Sequence, residues 1–164
     1  MKRLRIGQGV DFHRYCSRRV LMLCGLRIDG EPGLDGYSDA DVALHAVTDA
    51  ILGAVAGGDI GEHFPTDDDK WRNVDSSVFV TEALGRAAAE GFKVGNCDLT
   101  VVGERPRIAP LRAALRASLA KVLGVDVSVV SVKATTTDGL GFAGRGEGLG
   151  AIAVVLMEEA GGHG

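Results

Sequence analysis

No paired-cysteine pattern, no long apolar run and no excess of positive charge occurs in these 164 residues, and each absence removes a class of function. The three cysteines, Cys16, Cys24 and Cys97, are odd in number and lack C-x-x-C spacing. That argues against a disulfide framework and a thiolate metal site, and it predicts a reducing, cytoplasmic setting. There is no stretch of about 20 apolar residues to span a bilayer, so no membrane partner is expected. The basic start, Met1-Lys2-Arg3-Leu4-Arg5, is interrupted by Gly7, Gln8 and Asp11 before an apolar run of signal-peptide length can form. With 18 basic against 22 acidic residues the net charge is −4, which repels a phosphate backbone and makes nucleic acid an unexpected partner. Internal repeats and low-complexity linkers are also missing.

What is present is enough apolar material, 46% of the residues, for one domain with its own core. We place that domain at residues 1–160 and a frayed tail, including His163, at 161–164. A core of this size folds without a structural metal, so any metal serves chemistry. Short β-branched runs alternate with helical patterns across glycine-rich joints, which predicts an α+β fold with a mixed β-sheet and helices packed on one face. Strands are expected near Leu4–His13, Leu21–Ile28, Asn96–Gly103, Val127–Ala134 and Ala151–Met157. The clearest helix begins at Ser38-Asp39-Ala40-Asp41, with Ser38 as the cap and Asp41 as its capping-box partner, and runs to about Val55. Two more helices are expected over Ser76–Glu90 and Ala109–Leu123, stopped by Gly91 and Gly124.

Asp11 and His13 are separated by one residue, so on a strand both side chains point to the same face. His45, early in the capped helix, is the natural third partner. Two imidazoles and a carboxylate suit zinc and leave one coordination position for a substrate oxygen. A D-x-H pair alone is a weak signal, and a single helical histidine is more often a hydrogen-bonded residue at the edge of the core. Gly7-Gln8-Gly9 before the pair reads as a flexible segment. It is no dinucleotide fingerprint, because the third glycine falls at Phe12.

Two loops carry more polar groups than a simple connection requires. Lys133 to Gly148 is rich in threonine and glycine, a composition suited to phosphate oxygens, with Asp138 placed to hold a divalent cation against them. A flexible polar loop is the competing reading. Gly58 to Asp69 contains carboxylates, Asp59 and Asp68 among them, that suit sugar hydroxyls, and it reads as a mobile flap. The run Asp67–Asp69 lacks the spacing of an EF-hand.

Taken in order, Gly-Val-Asp-Phe-His (9–13), Ser-Asp-Ala-Asp-Val-Ala-Leu-His-Ala (38–46), Gly-Asp-Ile-Gly (58–61), Phe64-Pro65, Lys-Ala-Thr-Thr-Thr (133–137) and Gly-Phe-Ala-Gly-Arg-Gly-Glu-Gly (141–148) resemble the 2-C-methyl-D-erythritol 2,4-cyclodiphosphate synthase family. The resemblance covers nearly the whole chain. It implies a homotrimer with its sheets around a central axis, a chorismate mutase-like arrangement, and active sites between subunits. It implies Asp11, His13 and His45 as ligands of a catalytic metal, usually zinc, with magnesium or manganese near Asp138. Ser38, Asp59, Ile60, Gly61, Phe64, Pro65 and Asp68 match positions that bind or enclose the methylerythritol phosphate part of the substrate. Thr135 and Thr136 match phosphate contacts, and Thr136 also matches a transition-state stabiliser. Gly103, Arg107, Ile108, Ala109 and Ala134 correspond to a cytidine pocket, and Phe142 and Arg145 to further substrate contacts.

The implied reaction joins the 2-phosphate of a cytidine-diphosphate-linked methylerythritol to its own β-phosphorus, releasing CMP in the non-mevalonate isoprenoid pathway. A zinc hydrolase and a nucleotide-binding regulatory trimer are the alternatives. The chain departs from the family at Tyr37, where many members have a histidine, which predicts retained positioning and a lost positive charge. Asp138 replaces a glutamate, and Thr66 an aspartate. Ile152 stands where some relatives carry a glutamate that faces the trimer axis, a departure that counts against prenyl diphosphate binding in a central cavity.

Overall fold

Alternation of period two does not stop at His13, and the first strand, β1, runs unbroken from Leu4 to Leu23 in the computed structural model, which describes residues 3–161. β1 turns back at Cys24 and Gly25, both with positive φ (53° and 77°), into β2 (Leu26–Leu34). The strand expected at Leu21–Ile28 is therefore a hairpin: a short apolar run does not reveal a turn when a non-glycine residue takes part of the left-handed geometry.

The helix α1 (Val42–Ala54) follows, then the short α2 (Ile60–His63), a 3₁₀ turn (Asp69–Trp71) and α3 (Ser77–Ala89). β3 (Phe92–Val102), α4 (Ile108–Leu123) and β4 (Val130–Thr135) form a parallel crossover. Gly124, at φ 66°, ends α4 as expected. Val127–Val129, read as the start of a strand, is a 3₁₀ turn capped by Asp126. A single turn, α5 (Gly141–Gly144), leads to β5 (Gly148–Glu159). The strand order is β2-β1-β5-β3-β4, with β5 antiparallel to both β1 and β3. This is the mixed α+β sheet read from the sequence. Of the expected tail, Gly161 is exposed, while 162–164, His163 included, lie outside the described residues.

One correction matters for the site. Ser38 does not cap α1; Asp41 does, accepting from Ala43 and Leu44 N–H at 3.1 Å each. The same carboxylate accepts from Cys24 N–H (3.1 Å) and Gly25 N–H (2.6 Å), tying the helix start to the β1–β2 turn. Gly7 and Gly9 are not a flexible lead-in either. They share a face of β1 with Asp11 and His13, and a Cβ on them would collide with the backbone carbonyls of Ala50 and Ala46. Two missing side chains thus let α1 lie against the strand and bring His45 beside the next two residues of that face.

The helices cover one face of the sheet, with Leu99, Leu149 and Met157 fully buried beneath them. Among the described residues only the single-turn α5, through Phe142 on Phe12, reaches the opposite face of β1 and β5. There Leu4 and Ile6 are 62% and 71% exposed, with Val10, Phe12 and Val154 also exposed. Among the described residues no helix is long and apolar enough to cross a membrane.

Candidate active site

Asp11 and His13 project from β1 toward His45 in the first turn of α1, and their donor atoms form a nearly equilateral triangle. Asp11 Oδ2 lies 2.9 Å from His13 Nε2 and 3.0 Å from His45 Nδ1, and the two nitrogens are 3.2 Å apart. A tetrahedral zinc with bonds of about 2.0–2.1 Å sets its donors about 3.3–3.4 Å apart, so the three fit one small cation. They form the one group of three or more histidine, cysteine or acidic side chains among the described residues able to hold a metal ion together.

The outer nitrogens are held as well. His13 Nδ1 lies 2.6 Å from the Asp35 carbonyl, so Nδ1–H donates there and Nε2 is the nitrogen turned to the triangle. His45 Nε2 meets the hydroxyls of Ser38 (3.0 Å) and Ser76 (2.9 Å). Burial pushes the Asp11 carboxyl up, but hydrogen bonds from His13 and His45 outweigh it and hold the group well below the ordinary carboxylate range. Burial likewise opposes charge on His13, and the hydrogen bond to Asp11 wins, raising the imidazole above its usual value.

The triangle opens into a cleft of about 210 Å³ lined also by Tyr37, Ser38, Ile60, Gly61, Phe64, Thr66, Trp71 and Phe79. Asp59 caps α2 through Glu62 N–H (2.9 Å), and Asp49 accepts from Ile60 N–H (2.7 Å), which fastens this loop to the end of α1. Phe64 stacks between Phe79 (centroids 4.6 Å apart) and Trp71 (5.0 Å), anchoring the segment expected to be a flap. Pro65 and Asp68 stand outside the lining; Asp68 caps the 3₁₀ turn through Lys70 N–H (3.1 Å). The Tyr37 hydroxyl donates to Asp69 (3.0 Å), and the Arg72 guanidinium, paired with the same carboxylate, lies 4.9 Å from the Tyr37 ring centre. A positive charge therefore stands beside Tyr37, although the tyrosine itself carries none.

A second cleft, of about 380 Å³, gathers Gly103, Arg107, Ile108, Ala109, Ala134, Thr135 and Thr136 between the ends of β3 and β4 and the start of α4. The Thr136 hydroxyl accepts from Asp138 N–H (3.4 Å), which leaves its proton to donate. Asp138 is exposed, with φ 51°, and does not join the triangle. Phe142 packs edge-on against Phe12 (5.4 Å), and Arg145 pairs with Glu147 (2.6 Å).

The two clefts share no lining residue. Asp11 pairs across the sheet with Ala151, Ala151 with Val101, and Val101 with Ala134. Three strand spacings of about 4.8 Å put the rows about 14 Å apart within one chain.

The sequence profile of the YgbB family matches residues 4–158, spanning both clefts. The chain belongs to the YgbB family. It is 48% identical to 2-C-methyl-D-erythritol 2,4-cyclodiphosphate synthase of Cereibacter sphaeroides over 96% of this chain and 99% of the relative. It is also 52% identical, over 93% of its length, to the bifunctional enzyme IspD/IspF of Hyphomonas neptunium, of which it spans 40%. Among solved structures, Plasmodium falciparum IspF in complex with CDP superposes with a TM-score of 0.85 at 30% identity, covering 96% of this chain and 97% of that one. A structure of 2C-methyl-D-erythritol-2,4-cyclodiphosphate synthase in a CDP-bound form gives 0.86 at 39% identity, covering 93% and 99%.

Residues of this YgbB-family chain that the sequence reading missed are the ones beyond direct ligand reach. Ser76 read as a helix start and Asp39 as part of a cap, and Phe79 and Trp71 drew no reading. Ser76 and Phe79 reach the site because α3 packs beside α1, and Trp71 because the 3₁₀ turn folds it onto Phe64 and Phe79; no spacing rule announces such contacts.

Proposed function

We propose that the chain, in the cytoplasm, converts 4-diphosphocytidyl-2-C-methyl-D-erythritol 2-phosphate to 2-C-methyl-D-erythritol 2,4-cyclodiphosphate, the product its relatives are named for, and CMP. The observation that carries this reading is the three-donor triangle opening into one cleft, with the threonine-lined second cleft formed by the other end of the sheet. An oxygen of the 2-phosphate bonds to the β-phosphorus, the bond from that phosphorus to the bridging oxygen breaks, and CMP departs with the bridging oxygen. A phosphate monoester is already largely ionised near neutral pH, so a strong general base is unnecessary; the difficulty is to bring two anions together.

Asp11, His13 and His45 would hold a zinc ion, which when bound would supply Lewis-acid polarisation of a phosphoryl oxygen. Ser38, Asp59, Ile60 and Gly61 hold the methylerythritol phosphate, and Phe64, Pro65 and Asp68 enclose it. Gly103, Arg107, Ile108, Ala109 and Ala134 take the cytidine, Thr135 binds phosphate, and Phe142 and Arg145 make further substrate contacts. Thr136 donates to charge accumulating at the attacked phosphorus. Asp138 would offer one carboxylate to magnesium or manganese, which would supply charge neutralisation of the diphosphate. Aligning two tethered groups contributes up to about 7–11 kcal/mol of barrier reduction, so positioning matters as much as charge.

The chain acts as a homotrimer around its uncovered sheet face. Two clefts about 14 Å apart within one chain make one active site when the second comes from a neighbour. Phosphorus NMR of the cytidyl substrate with purified chain and zinc and magnesium is expected to show a cyclic diphosphate and CMP in equal amounts; an acyclic phosphate product would replace this reading with hydrolysis.

A further inference from the structure

Ser76 occupies the position that caps α3, yet its side chain makes no capping hydrogen bond. Asp75 serves the helix instead, accepting from Ser77 N–H at 2.8 Å. The Ser76 hydroxyl is fully buried and turned the other way, between the Asp39 carboxylate, to which it donates, and His45 Nε2 at 2.9 Å. A serine at a helix start is favoured because it caps. One that forgoes the cap to face a histidine has another task.

The hydrogens assign that task. A carboxylate only accepts, so the single Ser76 proton goes to Asp39 and the Ser76 oxygen is left with lone pairs. His45 Nε2 then carries a hydrogen to bond with it, and in a metal-bound chain Nδ1, the atom in the triangle, is the nitrogen left to ligate. Asp39 is itself held from three sides: Oδ2 accepts from Ser76 N–H (3.1 Å), Oδ1 accepts from Asp41 N–H (3.1 Å), and its own N–H donates to the Val74 carbonyl (3.0 Å). These bonds lock it to the entrance of both α1 and α3. Ser38, whose oxygen accepts from Ala40 N–H (3.2 Å), lies on the other side of the same nitrogen and reinforces the arrangement.

We propose that Ser76 and Asp39 are positioning residues, a hydroxyl-carboxylate relay that fixes His45 with its proton on Nε2 and its Nδ1 lone pair aimed at the metal. The relay rests on the reading of Asp11, His13 and His45 as a metal site. It gives α3 a role beyond packing: the helix carries one half of the support for a ligand on α1, so the two helices must dock before the site is complete. Outer partners of this kind change metal affinity by about 10- to 100-fold when removed.

The test measures zinc binding rather than turnover. Zinc affinity, read by competition with a chromophoric chelator, is expected to fall about 10- to 100-fold in Ser76→Ala and in Asp39→Asn, with circular dichroism unchanged. In the zinc-loaded wild-type chain, the His45 ring N–H is expected as an exchange-protected signal in nitrogen–proton NMR, and in Ser76→Ala that signal is expected to disappear into exchange with water. If Ser76→Ala does not fold, Asp39→Asn, which preserves shape and the hydroxyl, decides by the same two readouts. Wild-type affinity and a protected ring N–H in the variants, alongside lost zinc in His45→Ala, overturn the relay alone. A wild-type chain that binds no zinc overturns the site and the relay together.

Discussion

At the scale of single residues, Asp11 and His13 impose opposite pH dependences on the metal-free and metal-bound chain. The His13 value is raised, so its contribution to folding is complete below about pH 6.5 and is lost as pH rises through the raised value. The Asp11 value is depressed, so its contribution is present above about pH 4 and is lost in acid. Without metal, the pair therefore stabilises most between those limits. Zinc needs the same nitrogens unprotonated and must displace the His13 proton, so its affinity rises with pH. Thermal melts with chelator and with excess zinc should separate more widely at pH 8 than at pH 6; an equal separation would show that zinc does not compete with this proton. Both residues were legible because strand alternation puts positions 11 and 13 on one face, whatever the rest of the fold does. The Tyr37 environment was not. Its neighbouring cation, Arg72, arrives through the flap's own folding, with Asp69 between them.

At the scale of elements, the position of α1 decides whether His45 meets the strand, and Asp41 decides the start of α1. Its carboxylate takes four backbone N–H groups from two segments. Asp41→Ala removes a cap worth about 1 kcal/mol and strands the N–H groups of Cys24 and Gly25 at about 1–3 kcal/mol each. A loss of about 3–7 kcal/mol is expected in urea denaturation, against about 1 kcal/mol if the residue were a cap only. Gly9→Ala tests the other side of the same contact. The new Cβ meets helix backbone, which has no rotamer to yield, so α1 must shift. Overpacking of about 1–3 kcal/mol is expected, together with weakened zinc binding, because His45 moves with its helix. Helix existence and ends were readable from periodicity and from Gly91 and Gly124. The capping residue was misassigned because Ser38 and Asp41 are both good caps, and only the β1–β2 turn, which needs an acceptor, determines which one serves.

At the scale of the whole molecule, the sheet has one face too many. Leu4, Ile6, Val10 and Val154 present apolar surface that no helix among the described residues covers, and Phe12 beside them meets only Phe142 of the single-turn α5; an antiparallel sheet facing water normally alternates to polar residues on that side. The metal triangle comes entirely from one chain, while the threonine cleft stands several strands away, so assembly and chemistry separate experimentally. Ile6 is the most exposed of these residues and lies four positions along β1 from Gly9's neighbour Val10, far enough that Ile6→Arg leaves the ligands in place. Sedimentation of the wild-type chain should give three times the 17.1 kDa chain mass, and Ile6→Arg should shift it toward a single chain. That variant should still bind one zinc per chain and yet form no cyclic diphosphate, because each cleft has lost the neighbour that completes it. A single-chain Ile6→Arg with wild-type turnover would show that both clefts of one chain suffice, and the placement of the site between subunits would fall.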